Sequence, residues 1–175
     1  MELRQPDDRM LADYVVALGR GWSPNSGRDT SAIELAEIRA DPDVYLHHQR
    51  TSTGTIVLAD GSLAERLPGL IRWIWDDGFC GNINFRHLPD TEDLPEHVSG
   101  HVGYNVVPWR RGKGIATRAL GLFLPMIQAL GVARVKLTCD DGNPVSARVI
   151  EANGGIEAPG EQHEGTAKRV FWIDL

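Results

Sequence analysis

Between residues 101 and 139 the apolar pattern changes period twice, and no other feature restricts the packing of this chain so strongly. His101 to Val107 alternates as a strand does and stops at Pro108. From Gly114 the period is 3.6, with Ile115, Ala119, Leu122, Met126 and Leu130 along one helical face up to Gly131. Arg134 to Cys139 then reads as a strand again. Strand, short glycine-bearing loop, helix and strand make a parallel crossover. Pro125 removes a backbone donor inside that helix and predicts a kink.

The flanking segments fill in the layers. Residues 6 to 19 predict a helix: Pro6 suits its first turn, Asp7 and Asp8 complement its positive end, and Met10, Leu11, Tyr14, Val15 and Leu18 form one apolar face. A loop from Gly21 to Gly27 leads to a second helix at about 30 to 40, where Ser31 and Glu34 fit a capping box and Pro42 marks the end. Thr55 to Ala59, Leu70 to Trp75 and Phe79 to Arg86 read as strands, the last two joined by a hairpin at Asp76-Asp77-Gly78. A short helix at about 143 to 152 and a strand from Val170 to Ile173 close the order. The expected fold is α/β of the α+β type, a mixed and mostly antiparallel central sheet with one parallel crossover and helices on both faces.

With 175 residues the chain suits one domain over 1–175, burying roughly 70% of the surface its unfolded form would expose. The longest apolar stretches fall short of a membrane span, and Met1-Glu2-Leu3-Arg4 lacks an apolar signal region, so a cytoplasmic protein is expected. Cys80 and Cys139 then read as two buried thiols. The net charge is −6, from 18 Lys and Arg against 24 Asp and Glu, with no basic block. That argues against nucleic acid as the main partner and mildly favours cationic ligands. Neither a nucleic-acid nor a membrane partner is expected; a homodimer is left open.

The chemistry concentrates in the crossover loop, Trp109-Arg110-Arg111-Gly112-Lys113-Gly114-Ile115-Ala116-Thr117. Glycines let a backbone turn its N–H groups outward, and a helix start adds a positive dipole end, so such a turn holds an anion of the pyrophosphate kind. The alternative is a glycine-rich loop with merely solvated basic residues. A dinucleotide-binding crossover fits poorly, because Thr117 stands at the third glycine position and too little chain follows Asp141 for further βα units. The phosphate loop Gly-x-x-x-x-Gly-Lys-Ser/Thr does not occur.

Arg111, Gly114 and Ala116 match, without insertion, the Arg/Gln-x-x-Gly-x-Gly/Ala signature of the GNAT superfamily of acyl-CoA-dependent N-acyltransferases, which the sequence resembles. Asn143, Ser146 and Gly154 match its second signature, and the stretches 81 to 87 and 100 to 104 are similar to a little-characterised bacterial branch. The resemblance implies a GNAT-like sheet with a splayed parallel pair, 101 to 107 and 134 to 139, and acetyl-CoA as co-substrate. It implies that Arg111, Gly112, Lys113, Gly114, Ile115, Ala116 and Thr117 cradle the CoA pyrophosphate. Val106 and Val107 would offer backbone groups to pantetheine, and Asn143 and Ser146 would contact CoA from the far side. Both helices before the sheet, the loop near Tyr45 and the segment Pro159 to Gly165 would wall the acceptor side.

One position departs from the family. Seven residues after its Asn the family often has a Tyr that protonates the leaving thiolate; here Ile150 stands there. For a base, His101 has a suitable pKa and lies on the strand leading to Val107. The other reading is a histidine fixed in a strand-end hydrogen-bond network. His87 and Glu96 are weaker candidates, and His47-His48 reads as exposed loop. His97 and His101 have helical ligand spacing on a segment that is not helical, so no metal is expected. The expected activity is transfer of acetyl from acetyl-CoA to a primary amine; the alternative is a non-catalytic acyl-CoA-binding module.

Overall fold

Asp7 accepts the N–H of Met10 at 3.0 Å and so starts the first helix, in a computed structural model that describes residues 1–25, 27–58 and 60–175. In chain order the elements are β1 (Glu2–Arg4), α1 (Asp8–Gly19), α2 (Ser31–Ala40), α3 (Pro42–Thr51), β2 (Thr55–Val57), β3 (Leu63–Glu65), β4 (Gly69–Trp75), β5 (Phe79–Arg86) and β6 (Val102–Val106). After a single 3-10 turn at Pro108–Arg110 come α4 (Ile115–Gln128), β7 (Arg134–Asp140), α5 (Pro144–Glu151), β8 (Ile156–His163) and β9 (Thr166–Asp174).

The strands form an antiparallel sheet β1-β4-β5-β6, a second antiparallel sheet β7-β9-β8 and a separate β2-β3 hairpin. β6 and β7 lie side by side without a ladder. His101, just before β6, donates its N–H to Lys136 O at 2.7 Å, whereas Tyr104 reaches Ser146, beyond the end of β7. The two strands therefore run in the same direction, joined at their starts and parted beyond. This is the splayed pair within a mostly antiparallel arrangement that the sequence implies.

Two clusters of buried side chains fix the layers. Ile83, Phe85, Val102 and Val106 face α4 and α5 together with Leu137 and Phe171. On the other face Trp73 stacks on Tyr14 of α1 at 4.5 Å between ring centroids, with Trp22 and Phe79 edge-on to Tyr14. Each such aromatic pair adds about 0.5–1.5 kcal/mol beyond area burial. Cys80 and Cys139 are free and buried.

Several details differ from the sequence reading. The buried face of α4 is Ile115, Ala119, Leu120, Phe123 and Ile127, while Leu122 and Leu130 are exposed: with apolar residues nearly all round, the face carrying bulky Phe123 turns inward. α4 runs through Pro125 to Gln128. Three helices, and not two, precede the central strands. Pro42 ends α2 but also occupies the first turn of α3, whose cap is Asp41, accepting from Asp43 and Val44. His47 and His48 thus lie on a helix and not in a loop, and Tyr45 is buried on the same helix. The Ser31–Glu34 capping box does not form, because Thr30 is the cap and the Glu34 carboxylate turns inward to the hydroxyls of Tyr14 and Tyr45. The strand expected over Thr55–Ala59 is Thr55–Val57; Ala59, like Ser26 of the first loop, lies outside the described residues.

Candidate active site

The antiparallel register of β5 and β6 dictates which peptide groups look into the gap beside β7. Val107 N–H bonds Cys80 O at 2.9 Å, and Gly81 pairs with Val106. Hydrogen-bonded and non-bonded pairs alternate, so Gly103, Asn105 and Val107 turn their peptide groups to β5, and Tyr104 and Val106 turn theirs to the gap. Val107 also gives its C=O to Arg110 N–H at 3.0 Å, which leaves neither of its main-chain groups for a ligand. Of the two valines, Val106 alone turns a main-chain N–H to the gap, its C=O accepting from Arg111 Nε at 2.9 Å.

The loop after β6 turns twice through left-handed glycines into the start of α4. Gly112 and Gly114 adopt φ of +75° and +68°, conformations that other residues take only with strain, and the Cβ of a side chain at either would meet open space. Gly114 caps α4 without a side-chain bond, and the first helical bond joins Arg118 N–H to Gly114 O. The N–H groups of Ile115, Ala116 and Thr117 are therefore left over, at the positive end of a helix of 14 residues. Arg111 and Lys113 are exposed and pair with no carboxylate among the described residues. Arg111 folds back toward the gap, its Nε donating to Val106 O at 2.9 Å and its Nη2 to Asn105 Oδ1 at 3.3 Å. Arg110 instead secures the β4–β5 turn through Asp77 O at 2.6 Å.

Across the gap, Asn143 caps α5 by accepting Ser146 N–H at 3.1 Å. Ser146 meets Tyr104, hydroxyl to hydroxyl, at 2.8 Å, so β6 and α5 are bridged there. Burial pushes the Tyr104 hydroxyl up to about 12, which keeps it protonated at neutral pH. Ile150 is wholly buried and belongs to the core. The sequence reading passed over Tyr104 because neither signature includes it; its alternation away from Asn105 was the available signal.

His101 sits elsewhere, at the closed end of the splay. It is 2% exposed, and its Nδ1 accepts Lys136 N–H at 2.9 Å while its own N–H goes to Lys136 O. The imidazole stands where the carbonyl of a pairing strand would stand. The bond assigns the ring proton to Nε2, so no lone pair remains to take a proton from an amine. Burial, helped by Arg86, His87 and Lys136, pulls its pKa down to about 4. The expected base is thus the strand-end anchor. His87 lies with its Nδ1 against Leu88 O and its ring on Phe85.

The central sheet is thus opened between two parallel strands, with the unpaired N–H groups of a helix start beside the opening. The sequence family described as the acetyltransferase (GNAT) domain matches residues 24–156, and the chain belongs to that family. No curated protein matches it significantly. Among solved structures, its fold is similar to that of RimL, a ribosomal L7/L12 alpha-N-protein acetyltransferase in complex with coenzyme A, at TM-score 0.65 and 16% identity over 99% of this chain and 93% of the other. Mycobacterium smegmatis RimJ in complex with a CoA-disulfide gives 0.64 and 21%, over 99% and 81%. A spermidine N-acetyltransferase chimera from Vibrio cholerae SpeG and hSSAT gives 0.65 and 14%, over 99% and 96%. Among the described residues no helix is long and apolar enough to cross a membrane.

Proposed function

We propose that this chain moves an acetyl group from acetyl-CoA directly to a primary amine. The observation that carries the reading is the uncapped start of α4 behind Gly114, adjoining the peptide edge of Val106 that β7 leaves unpaired. An amide-rich pantetheine arm can extend that edge as a strand would, and the pyrophosphate would meet Ile115, Ala116 and Thr117 N–H with Arg111, Gly112 and Lys113 around it. Asn143, already a cap through Oδ1, keeps its amide nitrogen for CoA, and Ser146 keeps a hydroxyl lone pair.

The chemistry asks little of the protein. The amine lone pair attacks the thioester carbonyl carbon, the C–S bond breaks, the sulfur takes one proton and the nitrogen releases one. A main-chain N–H of the Tyr104–Val106 edge stabilises the oxygen charge that develops. Tyr104, protonated and held by Ser146, is suited to give the sulfur its proton in place of the residue that Ile150 replaces. The nitrogen proton leaves to water, since His101 has no free lone pair. Cys139 has its thiol pushed up by burial, which disfavours an acyl-enzyme.

Calorimetry with acetyl-CoA and NAD, followed by thiol release with a panel of amines, tests the reading. Acetyl-CoA is expected to bind the more tightly, and at least one amine to release thiol in a sequential, not ping-pong, pattern. Tyr104→Phe is expected to lower kcat about 100-fold or more with acetyl-CoA affinity unchanged. Tighter NAD binding defeats the proposal; CoA binding with no thiol release for any amine leaves a binding module in its place.

A further inference from the structure

The face of β5 and β6 turned toward α1 carries a polar row where apolar residues would pack most cheaply. Asn82, Asn84 and Arg86 alternate along β5, and register sets Asn105 beside Asn82 and Gly103 beside Asn84. Asn82 lies opposite Trp73, which places the row on the helical face of α1 and away from α4. It ends at Asn105, whose amide donates to Ser23 O in the α1–α2 loop at 2.7 Å.

Arg86 is the unusual member. Its Nη1 donates to Asn84 Oδ1 at 2.7 Å, its Nε is buried without a partner, and among the described residues no carboxylate pairs with it. Asn82 Oδ1 is likewise buried and unpartnered. Glu92, which acts on the neighbouring His101, is committed to Arg134 at 2.8 Å. Gly103, having no side chain, lets the guanidinium lie against β6, since a Cβ there would be 3.1 Å from Nη1. Burial without an anion pulls the Arg86 pKa down to about 10. A desolvated cation left without a counter-charge is costly, and a ligand that brings the anion removes the cost.

We propose that the acceptor amine carries a separate anionic group, carboxylate or phosphate, and that Arg86 binds it, with Asn84 and Asn82 receiving the polar chain between. This rests on the acetyl-transfer reading and deepens it by naming the class of acceptor. The planar fork of Arg86 suits both anions.

Matched amines test this. Aminohexanoate and lysine carry a carboxylate, phosphoethanolamine a phosphate, and hexylamine and cadaverine no anion. The wild-type protein should prefer an anionic acceptor on the order of 10- to 100-fold in kcat/KM. Arg86→Gln should bring that acceptor down to the level of hexylamine, with hexylamine turnover and acetyl-CoA affinity unchanged, and Arg86→Lys should retain part of the preference. If Arg86→Gln does not fold, Gly103→Ala, whose Cβ would push Nη1 aside by a few tenths of an ångström while keeping the charge, should show a smaller loss confined to the anionic acceptor. Preference for either anion supports the subsite, and the ratio tells which anion it takes. Equal use of hexylamine and aminohexanoate by the wild-type protein, or equal losses for both in the variants, overturns the subsite while acetyl transfer stands. No thiol release with any amine overturns the acetyl-transfer reading, and the subsite with it.

Discussion

Burial, with Arg86, His87 and Lys136 close by, disfavours the charged ring of His101 and lowers its pKa to about 4 from an ordinary 6.5, and protonation would also break its bond from Lys136 N–H. An unfolded chain therefore binds this proton more readily than the folded one. The stability that follows is fully present above pH 6.5 and is lost as the pH falls toward 4, and it amounts to roughly 3 kcal/mol. His101→Ala should cost about 1–3 kcal/mol at pH 7, because Lys136 N–H loses its acceptor and the site is left unfilled. Urea midpoints measured from pH 7 to pH 4 should fall more steeply for the wild-type protein than for the variant. Turnover per folded molecule and the acidic limb of kcat/KM should be the same in both, since deprotonation of the amine itself sets that limb. An acidic limb that vanishes in His101→Ala would restore the residue as a base. The sequence offered both roles for His101, and only the direction of its Nδ1 decides between them. Arg86 and Tyr104 were no easier to read, because a lone Arg or Tyr in an alternating strand is common and its missing or present partner is a property of the folded chain.

At the scale of elements, the start of α4 was the most legible part of the site, since glycines with positive φ, a change of period and a helix start all leave marks in the chain. Gly114→Val tests what that start does. The Cβ would meet no protein atom, so the strain is that of φ +68° alone, an effect of about 1–2 kcal/mol at an exposed turn. The branched side chain would nevertheless take up space beside the start of α4 that the proposed pyrophosphate needs. Acetyl-CoA affinity should fall at least 10-fold while the circular dichroism spectrum is preserved, and unchanged affinity with intact melting would remove the pyrophosphate from this loop. Other elements left fainter marks. α3 is hidden by Pro42, which terminates one helix and starts the next with no residue between Ala40 and it but Asp41. β1 and β3 are three residues long, too short for alternation to register, and β8 is an exposed edge with Pro159 and Gly160 inside it.

For the molecule as a whole, the parting of β6 from β7 divides one sheet into two, and three features hold the halves: the His101–Lys136 joint, the Tyr104–Ser146 bridge and the shared packing on α4 and α5. The element order around the crossover predicted this division only in outline. A gap between strands is a relation between residues 35 apart in sequence or more, as His101 and Lys136 are, and no local pattern encodes its width. The two strands nevertheless make a prediction that can be read amide by amide. Gly103, Asn105 and Val107 N–H are paired with β5, while those of Tyr104 and Val106 face the gap with no partner on β7. Protection from hydrogen exchange follows pairing and burial. Acetyl-CoA that extends the open edge should slow exchange at Tyr104 or Val106 selectively, together with Ile115 to Thr117 at the start of α4, and should leave Gly103, Asn105 and Val107 as they were. By mass action it should also raise the melting temperature, the increment being about 2.7 kcal/mol at a hundredfold excess over Kd. Residue-resolved exchange with and without acetyl-CoA gives the answer. Protection confined to β8 and β9, or equal at paired and unpaired positions of β6, would place the ligand outside the gap and remove the structural basis for direct transfer there.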